Sequence, residues 1–222
     1  MIIRIVLIFI SALLFTDHLP AQSSGEFEIA RAKYRGGGDW YNDPSALQNL
    51  IQYTRSNIPI RISESYEDVS IGSTDLHLYP FIFLTGHGNI TLNSSEARNL
   101  REYLQNGGFL YIDDDYGLDE YIRPVMKQVF PNEEFIELPF NHPIYNQVFD
   151  FDNGLPKIHE HDGKPPRGFG IFYEGRLVVY YSYESNLGDG WADPEVHNTP
   201  EPLRQQALQM GTNILVYALT RN

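Results

Sequence analysis

Two continuous apolar runs mark the centre of the fold in the amino-acid sequence. Residues 81–84 (FIFL) and 109–112 (FLYI) are typical of strands that are covered on both faces of a sheet. Between them, residues 93–104 carry apolar side chains three and four positions apart, which predicts a helix. Asn93 and Glu96 have the spacing of a capping box at its start. The pattern therefore predicts a strand, a helix and a second strand in succession.

The same alternation extends over most of the chain. The other predicted elements are strands at 27–34, 58–62 and 134–138, a helix that begins at Asp43-Pro44, a helix at 118–129 that Pro124 interrupts, and a helix from Pro202. Residues 168–183 are predicted to form an antiparallel hairpin that turns at Glu174-Gly175. Alternating strands and helices predict an α/β fold with a mostly parallel sheet and helices on both faces.

The first 21 residues have the pattern of a signal peptide. A short basic start is followed by an apolar run at residues 5–15 and by a small residue, Ala21, at the expected cleavage position. The run is shorter than the roughly 20 residues that span a bilayer. We therefore expect an exported, periplasmic or extracellular protein with one domain at 22–222 and no stable membrane span after cleavage. An uncleaved anchor is the alternative.

Composition removes several classes of function. The 222 residues include 16 Lys and Arg against 29 Asp and Glu, a net charge of −13, which argues against nucleic acid as a partner. The chain has no cysteine, so disulfides, thiolate metal sites and cysteine nucleophiles are excluded. It also has no Gly-x-Ser-x-Gly motif, which disfavours a serine hydrolase of the common kind.

Polar clusters follow three of the predicted strands, at residues 36–41 (GGGDWY), 85–89 (TGHGN) and 113–116 (DDDY). Parallel strands place their carboxyl ends at one edge of the sheet, where α/β proteins bind ligands. His142, in the turn at 141–143, is a further candidate for the same edge. The candidate ligand-binding residues are Gly37, Gly38, Asp39, Trp40, Tyr41, Gly86, His87, Gly88, Asp114, Asp115, Tyr116 and His142.

Each cluster has a plain interpretation beside the functional one. The glycine triplet either binds an anion through backbone N–H groups or forms a tight turn. His87 is either a base, an oxyanion donor or a metal ligand, or it bonds only the turn backbone. The three aspartates either hold a divalent cation, with Asp113 and Asp115 as candidate ligands, or comprise one capping and two solvated carboxylates. The candidate catalytic residues are His87, Asp113 and Asp114.

A further histidine-rich segment lies at residues 159–162 (HEHD). It resembles a metal motif, but Pro156 and Pro165-Pro166 flank it and favour a solvated loop. Trp191, with Trp40, Tyr41 and Tyr116, offers aromatic rings that suit a carbohydrate.

These motifs together resemble a known bacterial family, domain of unknown function 4159. The resemblance rests on residues 36–41, 79–81, 85–88, 100–104, 107–109, 113–114, 142–145 and 211–214, and extends over roughly residues 26–220. It implies a flavodoxin-like fold similar to that of class I glutamine amidotransferases. Because that superfamily uses a nucleophilic cysteine, glutamine hydrolysis through cysteine is excluded here.

Two functions remain open from the sequence. The first is an exported protein that binds a small molecule or glycan, or serves as an accessory protein of the cell envelope. The second is a hydrolase that uses the cluster of His87 and Asp113 to Asp115, with a divalent cation as a possible cofactor.

Overall fold

A computed structural model describes residues 25–221, and the predicted signal peptide at 1–21 lies outside them. The strands are β1 (Phe27–Lys33), β2 (Ile62–Ser70), β3 (Phe81–Leu84), β4 (Phe109–Asp113), β5 (Ile136–Glu137), β6 (Arg167–Tyr173) and β7 (Arg176–Tyr183). The helices are α1 (Ala46–Asn57), α2 (Ser94–Gln105), α3 (Asp119–Val129), α4 (Leu187–Trp191), α5 (Pro194–His197) and α6 (Glu201–Thr220).

The strands form one sheet with the order β2-β1-β3-β4-β7-β6-β5. The first five strands in this order are parallel, whereas β6 pairs antiparallel with both β7 and β5. The parallel part has the strand order of flavodoxin-like sheets. The prediction of a mostly parallel sheet with an added antiparallel hairpin is therefore confirmed.

Helices cover both faces of the sheet, as predicted. Alternate residues of a strand face opposite sides, and the central strands divide their side chains between two core clusters accordingly. Ile82 and Leu110 pack with Leu100 of α2 on one face, while Phe81 and Phe109 pack with residues of α1 and α6 on the other. Two fully buried apolar layers thus fix the position of the central strands and of the loops that follow them.

Three local predictions differ from the structure. The second strand is β2 rather than residues 58–62; its polar sequence, ISESYEDVS, is that of an exposed edge strand that pairs with β1 alone. Pro124 does not interrupt α3, because Ile122, Met126 and Val129 still bury the same helix face. Helix α1 begins at Ala46, after its N-cap Ser45, and not at Asp43-Pro44. Within residues 25–221, no helix combines the length and the apolar character that crossing a membrane requires.

Candidate functional site

The loops after β1, β3, β4 and β7 meet at one edge of the sheet. These strands are parallel neighbours, so their carboxyl ends lie side by side. The three polar clusters of the sequence are in contact there, through hydrogen bonds of His87 and Asp115. The segment after β7 joins them because β7 is parallel to β4, although its hairpin with β6 is antiparallel.

His87, in the loop after β3, connects that loop to the loops after β1 and β4. Its Nδ1 lies 3.1 Å from Oδ2 of Asp39, and its Nε2 lies 3.0 Å from Oδ1 of Asp115. The hydrogen bond to Asp115 raises the pKa of His87 to about 9, with further support from the charges of both carboxylates. The imidazole is therefore protonated at neutral pH. It lies at the boundary between β1 and β3. On one side of this boundary the chain adds β2 to the sheet, and on the other side it adds β4 and β7.

The three adjacent aspartates face different partners. Asp113 is fully buried and accepts hydrogen bonds from Ser182, Tyr111 and the backbone N–H groups of Leu187 and Gly188. Burial raises its pKa to about 6, and these hydrogen bonds oppose the rise. All four donors belong to the protein interior, so Asp113 anchors the start of α4 and does not reach solvent.

Asp115 belongs to the His87 group. Besides His87, it accepts hydrogen bonds from the side-chain amides of Asn42 and Asn186 and from the backbone of Tyr116. Burial acts to raise its pKa, but the hydrogen bond and the charge of His87 and the N–H of Tyr116 together outweigh this effect and hold the pKa below its ordinary value. Asp115 is therefore an ionised carboxylate that fixes His87 and the loops around it.

Asp114 is the member of the triplet that reaches a cavity. It accepts hydrogen bonds from the Tyr181 hydroxyl at 2.8 Å and from the backbone of Glu184 at 2.6 Å. Burial raises its pKa to about 7. A carboxyl group with a pKa near neutrality at the wall of a cavity has the properties of a general acid or base.

The cavity has a volume of about 390 Å³ and lies beyond the ends of β4 and β7. Two tyrosines, Tyr116 and Tyr183, contribute ring surface, and five carboxylates contribute hydrogen-bond acceptors. Its lining comprises Asp114, Tyr116, Gly117, Asp119, Glu120, His161, Asp162, Lys164, Tyr183 and Glu184. We call it the tyrosine pocket.

The glycine-rich cluster forms a turn rather than an open cradle. Gly38 donates its N–H to the carbonyl of Asn89, and a Cβ at Gly38 would lie 2.8 Å from the carbonyl oxygen of His87. Gly86 is similarly confined, against the hydroxyl of Tyr34. By contrast, a Cβ at Gly37 or Gly88 would have nothing within 4 Å. The turn thus packs the loop after β1 against the loop after β3.

The two aromatic residues that follow the turn have different surroundings. Trp40 is half-buried, and the guanidinium of Arg31 lies 5.4 Å from its ring centroid. Tyr41 is exposed and packs its ring edge-on against Trp40. Neither lines the tyrosine pocket.

Two candidate residues lie away from the site. His142 packs against Phe172 and Tyr217, and Tyr217 in turn packs on Phe109 at the start of β4, so His142 is at the opposite end of the sheet. Trp191 is fully buried in the core against Phe83, so its ring is not available to a carbohydrate. The structure therefore does not bring His142 or Trp191 together with the residues around His87 and Asp115.

The histidine-rich segment at 159–162 is more closely packed against the site than the sequence predicts. It is a loop, as predicted, but the His161 side chain is only 5% exposed, and Nδ1 of His159 lies 2.7 Å from Oδ2 of Asp189. Asp189 itself, in α4, was not singled out. The parallel pairing of β7 with β4 brings it to this edge, and that pairing does not follow from a local hairpin pattern.

A comparison with protein families agrees with this architecture. The model of the family described as domain of unknown function (DUF4159) matches residues 28–219. This range contains the sheet and the six helices except for the first residue of β1 and the last residue of α6. No curated protein in the comparison matches the chain. The resemblance seen in the sequence motifs is thereby confirmed, and the chain belongs to the DUF4159 family.

Proposed function

We propose that this protein binds a small polyhydroxylated ligand, a sugar or a short glycan of the cell envelope, in the tyrosine pocket. The observation that carries the proposal is the joint presence of tyrosine rings and hydrogen-bonding carboxylates around one cavity of about 390 Å³. Sites for small molecules typically measure 300–1,000 Å³, with a few polar groups that fix orientation. A mono- or disaccharide matches this size.

The lining also defines which sugars fit. Tyr116 is 58% exposed and offers a ring face for the C–H surface of a pyranose. Asp119 and the exposed Glu120 present carboxylate oxygens that accept hydrogen bonds from hydroxyl groups. Because acidic groups outnumber Lys164 and His161 in the pocket, phosphorylated sugars and uronic acids are repelled. Neutral or amine-bearing sugars are therefore the favoured class.

Calorimetric titration of the full chain with neutral, amine-bearing, acidic and phosphorylated saccharides tests the proposal. We expect the neutral and amine-bearing saccharides to bind. The acidic and phosphorylated saccharides should bind at least tenfold more weakly, which corresponds to about 1.4 kcal/mol in binding free energy. Tyr116→Ala removes the exposed ring of the pocket and is expected to abolish this binding. Tyr41→Ala is the matched control, since Tyr41 is equally exposed at 61% but lies outside the pocket. Equal loss in both variants, or no binding by the wild type, would refute the proposal.

A second candidate function is hydrolysis within the same pocket. The supporting observation is Asp114, whose carboxyl group lines the pocket and has a pKa raised to about 7 by burial. His87 and Asp113 do not line the pocket, so Asp114 is the member of the predicted cluster that a substrate would meet. Asp114→Asn is expected to abolish turnover of any saccharide that the wild type hydrolyses while its binding remains. Turnover that persists in Asp114→Asn would exclude this function.

We further propose that the protein is exported to the periplasm or beyond. The support is the basic start, the apolar run and the small residue within residues 1–21. Expression of the full chain in a bacterial host, followed by fractionation and N-terminal sequencing, tests this. A mature chain that begins at Gln22 in the exported fraction is expected, and an intact chain in the cytoplasm would contradict it.

A further inference from the structure

Three ligand-type side chains from separate segments converge beside the tyrosine pocket. They are Asp43 in the loop after β1, Asp189 in α4 and His197 in α5, and one donor atom of each lies within 4.8 Å of the other two. Nε2 of His197 is 2.7 Å from Oδ1 of Asp43 and 3.5 Å from Oδ1 of Asp189. The residues are distant in sequence, so the fold alone brings them together.

The charges in this group are not balanced by the nitrogen between them. Both carboxylates are largely buried, with 12% and 4% of their side chains exposed. The imidazole of His197 faces both carboxylates, and its Nε2–H can donate to only one of them at a time, while the imidazole of His159 faces Asp189 alone. The ion pairs that Asp43 and Asp189 make within residues 25–221 are with histidines, which are charged only when protonated. Two buried carboxylates this close favour a bound cation or a proton.

We propose that Asp43, Asp189 and His197 bind a divalent transition-metal ion, at a site that is separate from the tyrosine pocket. Donor atoms around a tetrahedral ion at about 2.1 Å lie roughly 3.4 Å apart. The 3.5 Å between Nε2 of His197 and Oδ1 of Asp189 has this value, whereas the 2.7 Å between Nε2 and Oδ1 of Asp43 is a hydrogen-bond distance that would widen around an ion. His159 has a positioning role, since its Nδ1 lies 2.7 Å from Oδ2 of Asp189 and leaves Oδ1 directed towards His197.

The donor set indicates the class of metal. Imidazole nitrogen together with carboxylate oxygen suits Zn²⁺, Mn²⁺ or Fe²⁺, whereas Ca²⁺ and Mg²⁺ prefer oxygen ligands alone. Three protein ligands leave a fourth position for water or for a ligand group. The site is reachable from solvent on the side of His197, which is 28% exposed.

The site has a structural connection to the tyrosine pocket. The rings of His159 and His161 lie 5.9 Å apart, and His161 lines the pocket. The same edge of the sheet therefore contains both features, but they have no lining residue in common. The metal inference goes beyond the proposed ligand binding and does not depend on it.

Zinc binding by the tag-free full chain tests the inference. After treatment with a chelator, the protein is dialysed against Zn²⁺, its metal content is measured by mass spectrometry, and its affinity by competition with a chromogenic chelator. We expect one Zn²⁺ per chain and at least tenfold weaker binding in His197→Gln and in Asp43→Asn. His77→Gln is the matched control, because His77 is an exposed histidine that contacts Asn99 on α2. Circular dichroism confirms that each variant is folded.

Cobalt provides a second readout that does not depend on stability. Co²⁺ in place of Zn²⁺ should give visible absorption bands whose position changes when a nitrogen ligand is removed in His197→Gln. Absence of stoichiometric Zn²⁺ uptake, or uptake that both ligand variants retain at full affinity, would overturn the inference. Tyr116→Ala should retain Zn²⁺ while it loses saccharide binding, so failure of the metal site and failure of the ligand pocket are distinguishable.

Discussion

The protonated imidazole between Asp39 and Asp115 should make stability depend on pH in a defined way. His87 has an ordinary pKa of 6.5 and a folded-state pKa of about 9, chiefly because of its hydrogen bond to Asp115. The folded state therefore holds a proton that the unfolded state releases between these values. The resulting stabilisation is complete below pH 6.5 and is lost as pH rises through about 9.

The magnitude follows from the two pKa values and from exposure. The difference corresponds to an upper limit of about 3.4 kcal/mol, at 1.36 kcal/mol for each tenfold change in proton affinity. The His87 side chain is 53% exposed, so solvent screens the pair and reduces the expected contribution to about 1 kcal/mol. For a domain of this size, that corresponds to about 2–4 °C in melting temperature.

The assay compares His87→Gln with the wild type by urea denaturation between pH 5.5 and 10. Subtraction of the two curves cancels groups that are common to both proteins. We expect a difference of about 1 kcal/mol at pH 6 that disappears by pH 10, and that shrinks in high salt. His77→Gln is the control, since its ring faces an amide and not a carboxylate. A difference that is equal at pH 6 and pH 10 would refute the charged state assigned to His87.

Three further predictions concern residues that organise the site, all measured as the free energy of unfolding in urea. Asp113→Ala is expected to cost about 3 kcal/mol, because it removes the acceptor that the buried hydroxyls of Ser182 and Tyr111 and the first N–H groups of α4 share. A loss below about 1 kcal/mol would contradict this role. Gly38→Ala should cost about 1–3 kcal/mol, since its Cβ would meet backbone oxygen atoms at 2.8 and 2.9 Å, and a neutral result would show that the turn adapts freely. Asn213→Ala should cost about 2–3 kcal/mol, because the fully buried amide makes four hydrogen bonds to the backbone of the segment at 145–149. An unchanged urea midpoint of unfolding would argue against this role of Asn213.

The central elements of the fold are predictable from the sequence because their signals are local. The apolar runs of β3 and β4 and the capping box of α2 at Asn93 each need only a few neighbouring residues to be recognised. The contact between Asp39 and His87 is likewise expected, since strands of this pattern end at the same edge. Local pattern and sheet topology together therefore predict the location of the site.

The remaining features depend on tertiary contacts that no local pattern encodes. Strand β2 has the composition of a surface segment and becomes a strand through its pairing with β1. The three aspartates look equivalent in sequence, yet one is internal, one faces a cavity and one pairs with His87. Asp189 reaches the site because β7 is parallel to β4, a pairing between residues about 70 positions apart. Such distinctions arise from the packed sheet and not from residue type.

The position of β2 at the edge of the sheet has a consequence for solubility. An edge strand presents unpaired N–H and C=O groups to other chains, and β2 is a long one, with nine residues. On this edge Glu64 and Asp68 pair with Arg55 and Arg31, whereas Glu67 adds to the negative charge of a chain whose net charge is already −13. Two copies that approach edge to edge would therefore repel each other at neutral pH. High salt screens this repulsion and leaves the strand more open to intermolecular pairing.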